Sequence, residues 1–422
     1  MNSGFKRISK INYSIAAVFL LLSMLGNLFG ISGAWLNERV EDIAGVFTFH
    51  TVSEEPEGSG TEQDPYVVEN FFHFNKMLEE PDSYFELSGD LSPSSLGFNV
   101  IAGPLANDGA GWDPVGYGSE NRFTGHFNGN GHTISGLYIN RPLTDNVGLF
   151  GHIGVSDTST ATIIENIFLK DVTIIGNRGV GALVGRVTGN SNTVIRNSGV
   201  IGGTVAGSGA VGGLVGSNNS YQTQGAVDRN PRIETSFAMV EVIAERPETG
   251  PEARAFEKFG GLVGCSQKGT VADSYAISTV VIKDDDADRI GGLAGCNIFN
   301  GRIARSYSAS IVVLEQEALS STNIGVLVGN SDTAQGNIVA LSNNYYATDI
   351  SDNDAVLGAG NYATDPTGVT ERTIANMQGL NVLTQSSKMN NLDDNLFKAT
   401  DLYPIIKDYF EAEQLEGLGL EE

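Results

Sequence analysis

The sequence predicts an all-β protein: a parallel β-helix, or β-solenoid, of about seven three-stranded coils closed by small α-containing terminal caps. Three observations carry this. A glycine–leucine–apolar–glycine motif ends at Gly151, Gly185, Gly216, Gly264, Gly295 and Gly329, at intervals of 34, 31, 48, 31 and 34 residues. A near-constant period of this size belongs to stacked repeats rather than to one globule. A second motif keeps phase with the first: Ile164-Glu165-Asn166-Ile167-Phe168, Ile195-Arg196-Asn197-Ser198-Gly199, Ile233-Glu234-Thr235-Ser236-Phe237, Val271-Ala272-Asp273-Ser274-Tyr275, Ile303-Ala304-Arg305-Ser306-Tyr307 and Leu341-Ser342-Asn343-Asn344-Tyr345. A third apolar run follows at 172–175, 204–205, 240–243, 279–282 and 311–314. All three are short, β-branched and bounded by Gly, Asn, Asp or Ser, as strands are. No repeat holds a long stretch of period 3.6 with caps, so helices inside the coils are not expected.

Stacking at the strand spacing of about 4.8 Å places equivalent residues above one another. Seven coils would stand roughly 30–35 Å tall on that spacing. Leu149, Leu183, Leu214, Leu262, Leu293 and Leu327 are expected to form an inner apolar ladder. Ser198, Ser236, Ser274, Ser306 and Asn344 form a polar one, and Phe237, Tyr275, Tyr307 and Tyr345 an aromatic column read as core packing rather than a sugar platform. Asn197, Thr235, Asp273, Arg305 and Asn343 read as a solvent-facing column, with Asp273 and Arg305 one coil apart. The glycines serve corners, where φ > 0 or a close backbone approach is required. The 48-residue interval is read as a polar insertion over 217–232. Parallel strands usually carry a right-handed crossover.

The chain ends in two candidate caps. Residues 58–122 form the first, with a helix at 70–80 that aligns Phe71, Phe74, Met77 and Leu78. Residues 351–422 form the second: a short helix at 371–377 with Thr370 as its N-cap, then an acidic tail over 411–422. An open solenoid end is an exposed sheet edge and needs such cover. Residues 123–350 are the repeat body. At the start, Lys6, Arg7 and Lys10 precede an apolar run over 15–31, and Ser32-Gly33-Ala34 offers a cleavage site. Residues 1–34 thus read as a secretory signal peptide, with an uncleaved anchor as the alternative. Residues 35–57 read as a linker.

The 422 residues carry a net charge of −25 with 41% apolar residues, enough for a core and unsuited to nucleic acid. Cys265 and Cys296 each follow a motif glycine and so fall one rung apart. A buried thiol ladder is the expected state; the alternative is a disulfide, which export permits.

The repeats resemble the GLUG-motif family of bacterial secreted and surface proteins. The lead-in Phe123-Thr-Gly-His-Phe-Asn-Gly-Asn-Gly-His-Thr-Ile134 is similar to the family's own. Gly58-Ser-Gly-Thr-Glu-Gln-Asp-Pro-Tyr66, Tyr84-Phe-Glu-Leu-Ser-Gly-Asp-Leu91, residues 370–377 and Leu402-Tyr-Pro-Ile405 look like its flanking segments. The likeness runs over about 58–406. Ala182 and Val326 replace a motif glycine, and Gly199 interrupts the aromatic column. The resemblance implies a secreted or surface-attached β-helix and says little of activity. Some members are parts of surface proteases that cleave immunoglobulin A; those carry a zinc motif in another domain, and His-Glu-x-x-His is absent from this sequence.

Candidate chemistry is sparse. His50, His73, His126, His132 and His152 show no ligand spacing and read as structural hydrogen-bonders. Asp284, Asp285, Asp286 and Asp288 read as a solvated loop, with weak calcium binding as the alternative. Gly207, Gly209 and Gly212 match a dinucleotide fingerprint by letter, but a strand follows where a helix is needed. No catalytic residues, metal or cofactor are assigned. The expected role is an exported structural or adhesion module, not an enzyme, engaging surface glycans or other surface proteins and meeting a membrane only through an uncleaved N-terminal segment. The alternative is a carbohydrate-active enzyme or glycan-binding protein on the same scaffold. A groove near the insertion with Asp/Glu and Arg/Lys convergent across adjacent coils would favour an enzyme; a flat exposed face with no convergent carboxylates would favour adhesion.

Overall fold

A computed structural model of the chain describes residues 55–117, 121–154, 161–190, 192–220, 230–246, 256–315, 323–331, 340–348, 357–361 and 365–378, together with 383, 389, 392, 397–398 and 404–406. The signal segment 1–34, nearly all of the linker and the tail over 411–422 lie outside the described residues. Among those described, no helix is long and apolar enough to cross a membrane.

The chain winds as a parallel β-solenoid. Each complete coil has four strands rather than three, as in Arg178–Val180, Val184–Gly189, Thr193–Arg196 and Gly199–Gly207. They feed sheets I, II, III and IV, which hold five, six, nine and eleven strands among the described residues. Among the described residues five coils carry all four strands, against the seven expected, and the coils at either end contribute fewer. Pairing between coils is parallel, and equivalent residues stack as the repeat requires: Ile195 on Ile233, Ile233 on Val271, Val271 on Ile303.

The extra strand arises because the glycine motif is a corner, not a strand. Gly209–Gly212 ends just before Leu214, and Val215–Ser220 begins just after it. The leucine at the bend points into the lumen, and all six ladder leucines are fully buried. The last glycine of each motif has a steric reason. A Cβ on Gly151, Gly185, Gly216, Gly264, Gly295 or Gly329 would come within 2.4–2.5 Å of backbone or Cα atoms in an adjacent segment. None of these six needs positive φ; the demand is close approach of main chain to main chain.

The second motif is also a corner. Asn166, Asn197, Thr235, Asp273, Arg305 and Asn343 all have φ between 43 and 56°. Asn and Asp adopt this left-handed conformation readily. The next residue turns inward and supplies the polar ladder. The hydroxyl of Ser274 donates to the Ala272 carbonyl at 2.7 Å and accepts from the Ser236 amide at 3.2 Å. Ser306 repeats both bonds and Asn344 closes the series. These side chains are fully buried, so the ladder satisfies corner amides that the sheets cannot reach.

The aromatic column is buried but lies on the outer face of sheet IV. Leu169, Val200, Ala238 and Ala276 enter the main core, and the residue before each points the other way. Phe237 stacks on Tyr275 at 5.3 Å, and Tyr275 on Tyr307 at 5.0 Å. At Gly199 the missing side chain leaves room for Phe237, whose ring would lie 2.3 Å from a Cβ there. Phe237 thereby meets Phe168 at 6.1 Å and the column continues. Met377, Met389, Leu392 and Phe397 join this second cluster, so the C-terminal segment covers the column.

At the N-terminal end, Tyr66–Val68 and Tyr84–Leu87 extend sheet III. Between them a 3-10 turn at Phe71–Phe74 runs into the helix Asn75–Glu79. Phe71, Phe74 and Met77 are buried, Phe74 against Trp112 and Phe127, while Leu78 faces solvent. At the other end the expected helix starts later. Val369–Arg372 is a strand of sheet IV, and the helix spans Ile374–Met377 after Thr373, not Thr370. Extended pairing with Asn344–Ala347 claims the residues assigned to its first turn.

Cys265 and Cys296 are register partners in sheet II and form a disulfide, with Cα atoms 4.5 Å apart. The thiol-ladder expectation is thus corrected: in-register stacking puts the pair within bridging distance. The insertion is corrected too. Residues 217–220 belong to the strand Val215–Ser220, and Arg232 opens the strand Arg232–Glu234. The extra length of that interval is divided between 221–229 and 247–255, both outside the described residues.

Candidate functional site

Sheet III offers the side chains best placed to meet a partner. Its strands are three or four residues long, so alternation sends the central apolar residue inward and its two neighbours outward. Ile195, Ile233, Val271 and Ile303 are buried in the lumen. The outward residues stack in two columns. One runs Ile163, Val194, Arg232, Thr270, Arg302; the other runs Glu165, Arg196, Glu234, Ala272, Ala304. The left-handed corner residues form a third column beside them.

The corner column is cross-linked rather than simply solvated. Asn166 donates to Asn128 at 2.9 Å, Asn197 to Asn166 at 3.1 Å and Thr235 to Asn197 at 2.6 Å. Farther along, Arg305 grips Asp273 through two bonds, one of 2.6 Å from Nε. The sequence places Asp273 and Arg305 one coil apart; the structure brings them together as a bidentate pair.

Carboxylates on this face already have cations. Glu165 is nearly buried and accepts from His126 Nε2 and Arg196 Nε, both at 2.7 Å. The His126 bond, with help from Arg196, holds its carboxyl below the usual range. Glu234 lies 3.2 Å from Arg232 Nε, close enough for an ion pair but off line for a hydrogen bond. No two free carboxylates therefore converge among Glu165, Glu234 and Asp273.

Two depressions on the described surface are walled by charged side chains. One, of about 220 Å³, sits on sheet III where Arg232, Arg302 and Arg305 rise around Ala272 and Ala304. The small alanines leave a hollow where other coils carry Glu165 or Arg196. Asn230, at the edge of the first inserted segment, lines one end. The other depression, about 230 Å³, lies over sheets I and II beside Cys265, with Asp145, Arg178, Arg186 and Lys258 in its walls.

The remaining candidates have local partners. His132 meets Asp90 at 3.2 Å, and His73 lies 2.9 Å from Asn70. His152 is buried, 2.9 Å from the Thr188 hydroxyl. Burial, then the charges of Arg186 and Arg122, push its pKa down to about 4. His50 lies outside the described residues. In the acidic run, Asp286 takes two bonds from Arg246, at 2.7 and 2.6 Å, which lower its pKa. Among the described residues no three His, Cys, Asp or Glu converge to hold a metal ion. Gly207 ends one strand and Gly209–Gly212 is the next, so the fingerprint match has no helix to serve. Arg232 and Arg302 were not singled out from the sequence. Aligning the residue before each second-motif apolar position would have displayed their column.

Fold and face together define a parallel β-solenoid with polar, partly cationic outer columns. No known family model matches the chain. Two curated proteins resemble part of it. A protein of Evansella cellulosilytica named as a Gly-rich membrane protein is 34% identical over 149 residues, and halomucin of Haloquadratum walsbyi is 34% identical over 143. These stretches cover 34% and 33% of this chain but only 15% and 1% of the relatives, so the chain spans a small fraction of either. A solved structure from Bacteroides ovatus, named as an immunoglobulin A1 protease, superposes with a TM-score of 0.59 at 19% identity, over 85% of this chain and 96% of that one. At that identity the likeness is one of fold.

Proposed function

We propose that this chain is an exported structural module of the cell surface, a GLUG-type repeat scaffold that presents side-chain columns to an extracellular partner. The observation that carries the reading is the stack itself: coils held in register by buried polar ladders and by glycine corners with no room for a Cβ. Such a stack is stiff and repeats its outer surface at each rung. The relatives support the setting, since one is named as a Gly-rich membrane protein and the other as halomucin. Six motif copies in phase support the GLUG assignment.

Between display and catalysis, the outer face supports display. Hydrolysis of a glycosidic bond needs two carboxylates free to act as acid and base or nucleophile. Here Glu165, Glu234 and Asp273 are each paired with an arginine. Glycan binding without cleavage therefore stands as the second reading, favoured by the hollow beside Arg232 and Arg302. The test is location: the tagged chain expressed in its native host should be stripped from intact cells by external protease, with the N-terminal segment processed. Retention inside protease-treated intact cells would overturn the reading.

A further inference from the structure

We propose that the hollow on sheet III is a binding site for an acidic polysaccharide, with Arg232 and Arg302 as its two anion contacts. This rests on the exported, glycan-facing reading above. The first observation is a pair of orphaned donors. Nε of Arg302 and Nε of Arg232 are both buried and neither donates a hydrogen bond, although Arg232 Nε lies 3.2 Å from Glu234 as an ion pair. Both arginines line the hollow, so an oxyanion there would meet their guanidinium charge. The second is spacing. Arg232 pairs with Thr270 and Thr270 with Arg302, so the two arginines spring from backbone positions two rungs apart, about 9.6 Å along the stack. That is a track for a chain carrying repeated anions rather than a pocket for one ion.

The third is local charge. Although the chain carries a net charge of −25, this hollow holds three guanidiniums, Arg232, Arg302 and Arg305, against two carboxylates, Glu234 and Asp273. Distant carboxylates are screened beyond about 8 Å at physiological salt, so the local excess of one positive charge governs. Asn230 and Thr270 add neutral hydrogen-bonding groups suited to sugar hydroxyls. The overall acidity disfavours a nucleic acid, which needs a broad basic footprint. The shared chemistry is an oxyanion on a hydroxyl-rich polymer, and either a uronate carboxylate or a sulfate ester supplies it.

The test is calorimetric titration of the exported chain, starting at physiological salt, with polygalacturonate, dextran sulfate and neutral dextran. Binding of one of the two acidic polymers, but not of neutral dextran, is expected, and which one binds tells carboxylate from sulfate. Arg302→Gln and Arg232→Gln should each weaken it about tenfold, the scale of one charge-assisted bond, with the melting temperature unchanged. Affinity should fall as salt rises. Arg302→Lys keeps the charge and loses the planar fork, so it should bind between wild type and Arg302→Gln. Arg178→Gln, in the other depression, should bind like wild type. Equal affinity of wild type and a folded Arg302→Gln, or equal binding of neutral dextran, overturns the site. Because location is measured separately, a surface-exposed protein that fails this titration loses the site and keeps the module.

Discussion

Reducing the Cys265–Cys296 bridge tests how far a single cross-link stabilises the stack. The two cysteines are 31 residues apart and close one coil onto the next. In the chain-entropy treatment, a loop of that length removes roughly 12 cal/mol/K from the unfolded ensemble, about 3.7 kcal/mol at 25 °C. Sheet register already holds the Cα atoms at 4.5 Å, within the span a disulfide bridges. The paired variant Cys265→Ser, Cys296→Ser should therefore lose about 3–4 kcal/mol in urea unfolding. Wild type in reductant should match it, and wild type in oxidant should not. Thiol titration of the unfolded protein should find none before reduction and two after. Solenoids unfold in parts, so hydrogen exchange is the sharper readout. Protection should fall most in Val263–Gln267 and Ala294–Ile298, the strands that carry the bridge. Identical unfolding curves with and without reductant would refute the reasoning, as would two titratable thiols in the unreduced chain.

Three further outcomes follow from the same geometry. Gly216→Ala sets a Cβ 2.4 Å from the Val180 amide nitrogen and should cost about 1–3 kcal/mol, read as a lowered melting temperature. Ser274→Ala strips an acceptor from the buried Ser236 amide and should cost about 1–3 kcal/mol, with exchange at that amide accelerated; an unchanged rate would dissolve the ladder argument. His152 is held neutral with its pKa lowered from the usual 6.5 to about 4, so the unfolded chain binds its proton first. Stability from this residue is full above pH 6.5 and is lost as pH falls towards 4, by roughly 3 kcal/mol. His152→Asn should flatten that part of the stability–pH curve.

The inner half of this protein was written plainly in its repeats. The leucine ladder and the serine ladder follow from phase alone, because each position has one chemistry and stacking does the rest. Where the corners fall was harder. Gly-Leu-Val-Gly looks like a strand, and only the backbone shows that Leu214 sits at a bend with a strand on either side. The side taken by the aromatic column was not legible, since Tyr275–Ala276 is two residues long and alternation cannot say which faces in. Its cover comes from Met377 to Phe397, far away in sequence. The cysteine positions were legible, but not their bond. The hollow on sheet III was hidden because it depends on an absence: Ala272 and Ala304 are unremarkable until their neighbours across the rungs are large.

The bridge between adjacent coils has a mechanical meaning as well. A rod fixed at one end and pulled at the other lengthens by peeling coils from its ends. Chain held inside the cysteine loop cannot contribute to that lengthening while the bond is intact. At about 3.4 Å per extended residue, the 31-residue separation withholds roughly 100 Å of contour. Pulled in a single-molecule force experiment, the oxidised protein should give up that much less length than the reduced one. Equal extensions would show that the loop bears no load. The oxidation state of its surroundings would thus set how far this molecule can stretch before its backbone is taut.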